Sequence, residues 1–360
     1  MGDLGTFNRR SCGDGGVLAS RPGMHAAPVL LPVTERAMHE HRILVCVDRS
    51  ASGDVCVRHA ISLARALRSE LTLVHVMEPA QRAKPHVDAL DWEIARQEAR
   101  SYLERLQGEA AGALGWAVNA RLEQGHPPER IVALAQEIDA DLTVLGSHGE
   151  GGVTPWNLGS TAHHVIAVSR GSVFIAPISG TADVAAPRRI LAPLDGSRRT
   201  EGVLPTAARI ARAYGAELIL VHVVHELLPT LVLYATEDLD RARELTAHLA
   251  ICAKAYLEGL RIGLVREGTP VRTVVACHAN ERHAILEISK REHADLVVVA
   301  AHGTACDPER TFGTVTEYLL AHARAPLLVL QDLPESELHA PELVETAAPA
   351  LRASFPPEWA

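Results

Sequence analysis

The nine residues Arg42-Ile43-Leu44-Val45-Cys46-Val47-Asp48-Arg49-Ser50 are an apolar run closed by an aspartate and a serine. They return 147 positions later as Arg189-Ile190-Leu191-Ala192-Pro193-Leu194-Asp195-Gly196-Ser197. The same offset carries ARALRSELTLVHV (Ala64 to Val76) onto ARAYGAELILVHV (Ala211 to Val223). A later block, ADLTVLGSHG (Ala140 to Gly149), returns as ADLVVVAAHG (Ala294 to Gly303) at an offset of 154, which also maps Gly159 onto Gly313 and Arg170 onto Arg324. Two long matches in one order, at offsets that differ by seven residues, mark a duplicated domain.

Within each copy, apolar runs of strand length alternate with stretches of helical period, the pattern of βαβ units on a parallel sheet. Copy one predicts strands at 42–47, 71–76, 116–122, 141–146 and 172–176, with helices near 54–68, 91–113, 127–139 and 159–169 between them. Runs such as LVVVAA suit strands covered on both faces. Five strands and four helices make a doubly wound α/β domain. Copy one thus spans 42–177 and copy two 189–331, joined by a Gly/Ala/Pro-containing linker at 178–188. Residues 1–41 and 332–360 are rich in Gly, Pro and Ala without sustained periodicity and read as disordered or clinging tails.

Composition agrees and removes several function classes. A chain of 360 residues predicts about two domains. With 47% apolar and 22% charged residues it is globular, and no apolar run approaches the roughly 18 residues of a membrane span. A formal charge of −9 and only 4% aromatics argue against nucleic acid, which needs a basic footprint or stacking platforms. Six acidic residues after position 331 against Arg352 alone put −5 of that charge in the tail. The six cysteines form no C-x-x-C pair and read as buried thiols of a reducing cytosol. The nineteen histidines are dispersed, with no zinc-ligand spacing. MGDLGT fits an N-myristoylation pattern, but six residues with three free positions match readily by chance.

In an open parallel sheet, ligands bind beyond the carboxyl ends of the strands at the switch point, here just after strands 1 and 4 of each copy. Asp48 and Asp195 end the first strands. Gly146-Ser147-His148-Gly149 and Ala300-Ala301-His302-Gly303 follow the fourth, and nine-residue loops lead to Gly159-Ser160-Thr161 and Gly313-Thr314-Val315-Thr316 at helix starts. Glycines let backbone N–H groups approach a phosphate, and a helix N-terminus carries roughly half a positive charge. A Ser or Thr there can cap the helix and donate to a phosphate oxygen. Phosphates would repel the aspartates, which are better suited to a ribose hydroxyl, a base or a divalent cation. Together these groups describe a nucleotide pocket.

G-x2-G-x9-G-[S/T], matched without gaps by Gly146, Gly149 and Gly159-Ser160, together with the V-x-V-D-x-S strand ending at Asp48, resembles the ATP-binding branch of the universal stress protein family. The likeness covers both copies, so the chain resembles a tandem member with two Rossmann-like five-stranded domains. It implies that Asp48 and Val74 to Val76 line the adenosine side. Leu145, Gly146, His148 and Gly149 would meet ribose and phosphate, and Gly159, Ser160 and Thr161 would cradle phosphates. In copy two the corresponding positions are Pro193, Asp195, Val221 to Val223, Val299, Ala300, His302, Gly303, Gly313, Thr314 and Thr316. The resemblance also implies a cytoplasmic protein, ATP with Mg²⁺ as ligand, a stress-response role with protein clients, and pairing through the fifth strands, within the chain for tandem members. Dimerisation of the whole chain stays open.

Copy two departs from the pattern at Ala300, whose methyl could crowd the backbone approach, and at Ala279-Asn280-Glu281, where copy one has Gly125-His126-Pro127. The first site is therefore expected to be the better one. His75 and His222 read as satisfied strand-end histidines, His148 and His302 as backbone or ribose contacts, His163-His164 as helix surface, and Arg170 and Arg324 as complements to a helix dipole. No P-loop motif is present, and the loops at 150–158 and 304–312 carry one basic residue, Arg310. A nucleotide-dependent sensor or regulator fits better than a dedicated enzyme, with slow ATP hydrolysis left open. The rival reading is a nucleotide-independent interaction scaffold. A third, an adenylating enzyme, would need more glycine than DRSASGD holds.

Overall fold

A strand apolar on both sides must be covered by helices on both faces and flanked by other strands, and the chain meets this demand with one continuous sheet. The computed structural model describes residues 42–78, 89–148, 158–169, 171–177, 186–226, 236–304 and 310–331. The two tails, most of the linker, Gly149, Arg170 and parts of both nine-residue loops lie outside the described residues.

Copy one runs β1 (Arg42–Cys46), α1 (Ala51–Leu67), β2 (Glu70–Met77), α2 (Ala89–Leu114), β3 (Asn119–Gln124), α3 (Pro127–Glu137), β4 (Leu142–Gly146), α4 (Ser160–Val168) and β5 (Ser172–Ala176). Copy two runs β6 (Arg189–Pro193), α5 (Arg198–Glu201), α6 (Leu204–Tyr214), β7 (Glu217–His225), α7 (Thr236–Arg266), β8 (Val271–His278), α8 (Glu281–Arg291), β9 (Leu296–Ala300), α9 (Thr314–His322) and β10 (Leu327–Leu330). The strands form a ten-stranded sheet in the order β3-β2-β1-β4-β5-β10-β9-β6-β7-β8.

Neighbours are parallel within each copy, whereas β5 and β10 meet antiparallel, with Phe174 opposite Leu328. That central pairing satisfies two edges that separate domains would leave open. Along β1, Ile43, Val45 and Val47 face a core shared with α1 and α2, while Leu44 faces the core under α3 and α4. The period of two thus buries the strand on both sides. Across the seam, the Ser62 hydroxyl donates to the Tyr214 hydroxyl at 2.8 Å, which donates on to the Ser62 carbonyl. Arg209 donates to the Leu67 carbonyl, and the Thr311 hydroxyl donates to the Ala167 carbonyl at the far end of α4, at 3.1 Å.

Two elements differ from the sequence expectation. β3 begins at Asn119 rather than 116, because Gly115 turns the chain at φ +80° and Trp116 stays outside the core, 39% exposed. The helix after β6 is broken, whereas α1 is continuous. Pro205 has no N–H to return to Glu201, so the chain tightens at Gly202 and restarts at Leu204. Among the cysteines, burial pushes the Cys56 thiol up to about 12 and raises Cys46 well above the ordinary value, while Cys277 on edge strand β8 is exposed. Among the described residues no helix is long and apolar enough to cross a membrane.

Candidate functional site

The topology brings the repeated motif residues to the switch points. β1 lies between β2 and β4, with Ile43 opposite Leu142 and Val45 opposite Val144. Asp48 therefore leaves the sheet beside Gly146 at the end of β4. Its carboxylate Oδ1 accepts from the Ser50 N–H at 3.3 Å and from the Ser50 hydroxyl. Ser50 in turn caps α1 by accepting from the Ser52 N–H at 3.1 Å. The aspartate thus orients the cap rather than forming it, and Ser197 repeats the cap in copy two by accepting from the Thr200 N–H.

The turn from β4 into α4 is held by the main chain. The Ser147 N–H donates to the Ala176 carbonyl at 2.7 Å, and the Gly159 N–H donates to the Ser147 carbonyl at 2.6 Å. A Cβ on Gly146 would lie 3.1 Å from the His148 carbonyl oxygen and 3.4 Å from Cys56 Sγ, closer than side-chain carbons usually sit. Gly159 is the N-cap of α4 and offers no side-chain cap, at the helix end whose N–H groups have no partner within the helix. Ser160 is exposed at that end and Thr161 half-buried, while His148 is buried with Nδ1 3.4 Å from Ser147 Oγ. Val74 and Leu145 are buried beneath, and the Val74 carbonyl accepts from the Val47 N–H at 2.9 Å. Val76 is half-buried against the same core. Gly149 lies outside the described residues.

Copy two keeps the main-chain frame. The Gly313 N–H donates to the Ala301 carbonyl at 2.8 Å, and Gly313 caps α9 without a side chain. Thr314 begins that helix. Pro193, Val221 and Val299 are buried, and Val223 is half-buried. The polar groups are rearranged. Asp195 Oδ1 accepts from the Ser197 N–H at 2.9 Å and the Thr200 hydroxyl at 2.8 Å. Its Oδ2 accepts from the Thr304 N–H at 2.6 Å and the Thr304 hydroxyl at 2.8 Å. A Cβ on Gly303 would lie 2.4 Å from Asp195 Oδ2, so the carboxylate rests against that glycine. Burial alone would raise the Asp195 pKa; the hydrogen bonds from Ser197, Thr200 and Thr304 outweigh it and hold the carboxyl below its ordinary value.

Ala300, where the sequence expects a methyl that crowds the backbone approach, is buried at the end of β9 and belongs to the core cluster that also holds Val203 and Leu204. The Thr316 hydroxyl is buried and donates to the Ala300 carbonyl at 2.8 Å, fastening α9 to β9. His302 Nε2 bonds the Arg310 carbonyl at 2.9 Å. The turns after β3 and β8 also differ. Asn280 caps α8 by accepting from the His283 N–H at 3.2 Å, whereas His126 precedes Pro127 with no side-chain cap. His75 is satisfied by the Val47 carbonyl at 2.9 Å. His222 Nδ1 is buried without a partner in hydrogen-bonding geometry; burial lowers its pKa, partly opposed by the Leu194 carbonyl. His163 and His164 are exposed on α4, and Arg324 is exposed beyond α9.

Sequence reasoning missed Thr200, Thr304 and Tyr102. The signal for the threonines was a difference between the copies, since they replace Gly53 and Glu150. For Tyr102 it was recurrence, because the 154 offset returns it as Tyr256. No group of three His, Cys, Asp or Glu residues that could hold a metal ion occurs among the described residues.

The family model described as "Universal stress protein family" matches residues 40–177 and again 187–331. A universal stress protein of Mycobacterium tuberculosis is 28% identical over 303 residues, covering 81% of this chain and 97% of that protein. One from Mycolicibacterium smegmatis is 26% identical over 301 residues, with the same coverage of 81% and 97%. Among solved structures, a universal stress protein from Archaeoglobus fulgidus superposes with a TM-score of 0.58 at 16% identity, covering 81% of this chain and 98% of that one.

Proposed function

We propose that this chain, which belongs to the universal stress protein family and carries two of its domains in tandem, is an ATP-binding, nucleotide-dependent stress-response regulator whose first copy holds the ligand. One observation carries the reading. α4 starts at a glycine with no side-chain cap, pinned to the end of β4 by the bond from Gly159 to Ser147. Its first-turn donors stand beside the switch point that Asp48 closes from β1. A phosphate chain answers those donors and the dipole behind them, while Ser160 and Thr161 supply hydroxyls. Asp48, which would repel phosphate, takes the nucleoside end, beside Val74, Val76 and Leu145. Gly146 and Gly149 give the backbone room to approach the ligand, with His148 between them.

Mg²⁺ enters as the counter-ion of the phosphates rather than through a protein cage. Binding changes a surface read by protein clients in the cytoplasm. The second copy is an altered site, because Asp195 already has four donors from its own chain. That satisfied carboxylate favours a scaffolding role for copy two, whether or not the intact chain forms dimers. Pro193, Val221, Val223, Val299, Ala300, His302, Gly303, Gly313, Thr314 and Thr316 then frame a weaker pocket.

A thermal-shift series on the full chain with ATP, ADP and cyclic AMP tests the reading. Ligand at 100 times its Kd adds about 2.7 kcal/mol of stability, a clear rise in Tm. Gly159→Asp puts a carboxylate where phosphate would sit and is expected to abolish that rise while leaving the Tm without ligand nearly unchanged. No rise with any of the three nucleotides overturns the proposal.

A further inference from the structure

The aspartate at the end of the first strand is held in different ways in the two copies, from the face of the sheet that carries α1 and α2. In copy one the Tyr102 hydroxyl, reaching up from α2, donates to the Asp48 main-chain carbonyl at 2.5 Å. The preceding carbonyl, Val47, is met by His75 at 2.9 Å, and the two rings stand edge to face with centroids 6.3 Å apart. Two successive carbonyls of the β1–α1 turn are thereby fixed by side chains. The bond exists because position 53 is glycine: a Cβ there would lie 2.4 Å from the Asp48 carbonyl oxygen and 2.6 Å from the Tyr102 hydroxyl.

Copy two shows the arrangement dismantled. Thr200 stands in place of Gly53 and donates to the Asp195 carboxylate, while the Tyr256 hydroxyl donates to Glu201 Oε1 at 2.8 Å. The His222–Tyr256 edge contact survives at 6.1 Å, yet His222 Nδ1 has no partner in hydrogen-bonding geometry. In copy two the tyrosine thus donates to the Glu201 carboxylate of α5 rather than to the strand-end carbonyl.

We propose that Tyr102, acting through the Asp48 carbonyl in the space left by Gly53, is the positioning residue that aims the Asp48 carboxylate at the nucleoside of the first site. The inference rests on the nucleotide reading above. Tyr102 acts through the main chain; it restricts the turn so that the carboxylate needs no reordering on binding, the usual source of affinity from preorganisation.

ATP titrations of the full chain in wild type, Tyr102→Phe, Gly53→Ala and the double variant test it, with Tyr256→Phe alongside. Loss of one hydrogen bond of this kind corresponds to a roughly three- to tenfold weakening, expected for Tyr102→Phe and for Gly53→Ala, whose methyl pushes the two oxygens apart. Because both break the same contact, the double variant should bind no more weakly than Gly53→Ala alone. Tyr256→Phe should stay within twofold of wild type. A Tyr102→Phe affinity within twofold of wild type, or losses that multiply in the double variant as for a merely structural tyrosine, overturns the positioning role while ATP binding by wild type stands. Absence of ATP binding by wild type overturns both the nucleotide reading and this inference.

Discussion

Asp195 and Thr304 are joined twice, the carboxylate Oδ2 accepting from the threonine N–H at 2.6 Å and from its hydroxyl at 2.8 Å. The pair ties the end of β6 to the loop after β9, across the crevice where a ligand of the second copy would lie. In copy one the position of Thr304 is Glu150.

Thr304→Val removes one of these two bonds, and a loss of about 1 kcal/mol at pH 7 is expected. The bonds depress the Asp195 pKa in the folded state, so their contribution is full above the ordinary carboxyl range and is lost as pH falls through the folded value. The difference between wild type and variant in urea denaturation should therefore shrink as pH drops from 6 toward 2. A constant difference across that range would contradict the assignment.

His59, on α1, lies 5.2 Å from the Phe174 ring. Burial, aided by Arg58, lowers its pKa to about 4. The unfolded chain takes up a proton near pH 6.5 while the folded chain does not, so stability falls between about pH 6.5 and 4. His59→Gln should flatten that part of the stability profile, followed by chemical denaturation at half-unit pH steps. An unchanged slope would show that other groups set it.

Phe174 is 2% exposed and sits opposite Leu328 where the two copies meet. Phe174→Ala is expected to cost about 3–5 kcal/mol, through lost burial and the cavity left behind. A fall of less than 1 kcal/mol in urea denaturation would show that the seam tolerates the void.

Tyr214 and Ser62 link α6 to α1 across the same seam. Tyr214→Phe should lower stability by about 1 kcal/mol, read as a lower Tm, and Ser62→Ala in the same background should add little because the two changes share one contact. Fully additive losses would mean that the residues act independently.

The fold was legible because duplication made each strand visible twice. Gly146, Gly159 and Gly313 could be named from spacing alone, since their use lies in the main chain. The failures came where a local rule met a competing one. Trp116 extended an apolar run that Gly115 had already turned away from the sheet, and Pro205 broke a helix whose periodicity continued through it. Thr304 was invisible for a different reason. Its meaning depends on Asp195, 109 residues away, and only the sheet order brings the two together.

Isothermal titration of the chain with ATP, compared across wild type, Gly159→Asp and Gly313→Asp, counts the sites. About one tight ATP per chain is expected in wild type and in Gly313→Asp, and none in Gly159→Asp. Tight binding that survives Gly159→Asp, or no binding by the wild-type chain, would contradict an ATP site in the first copy.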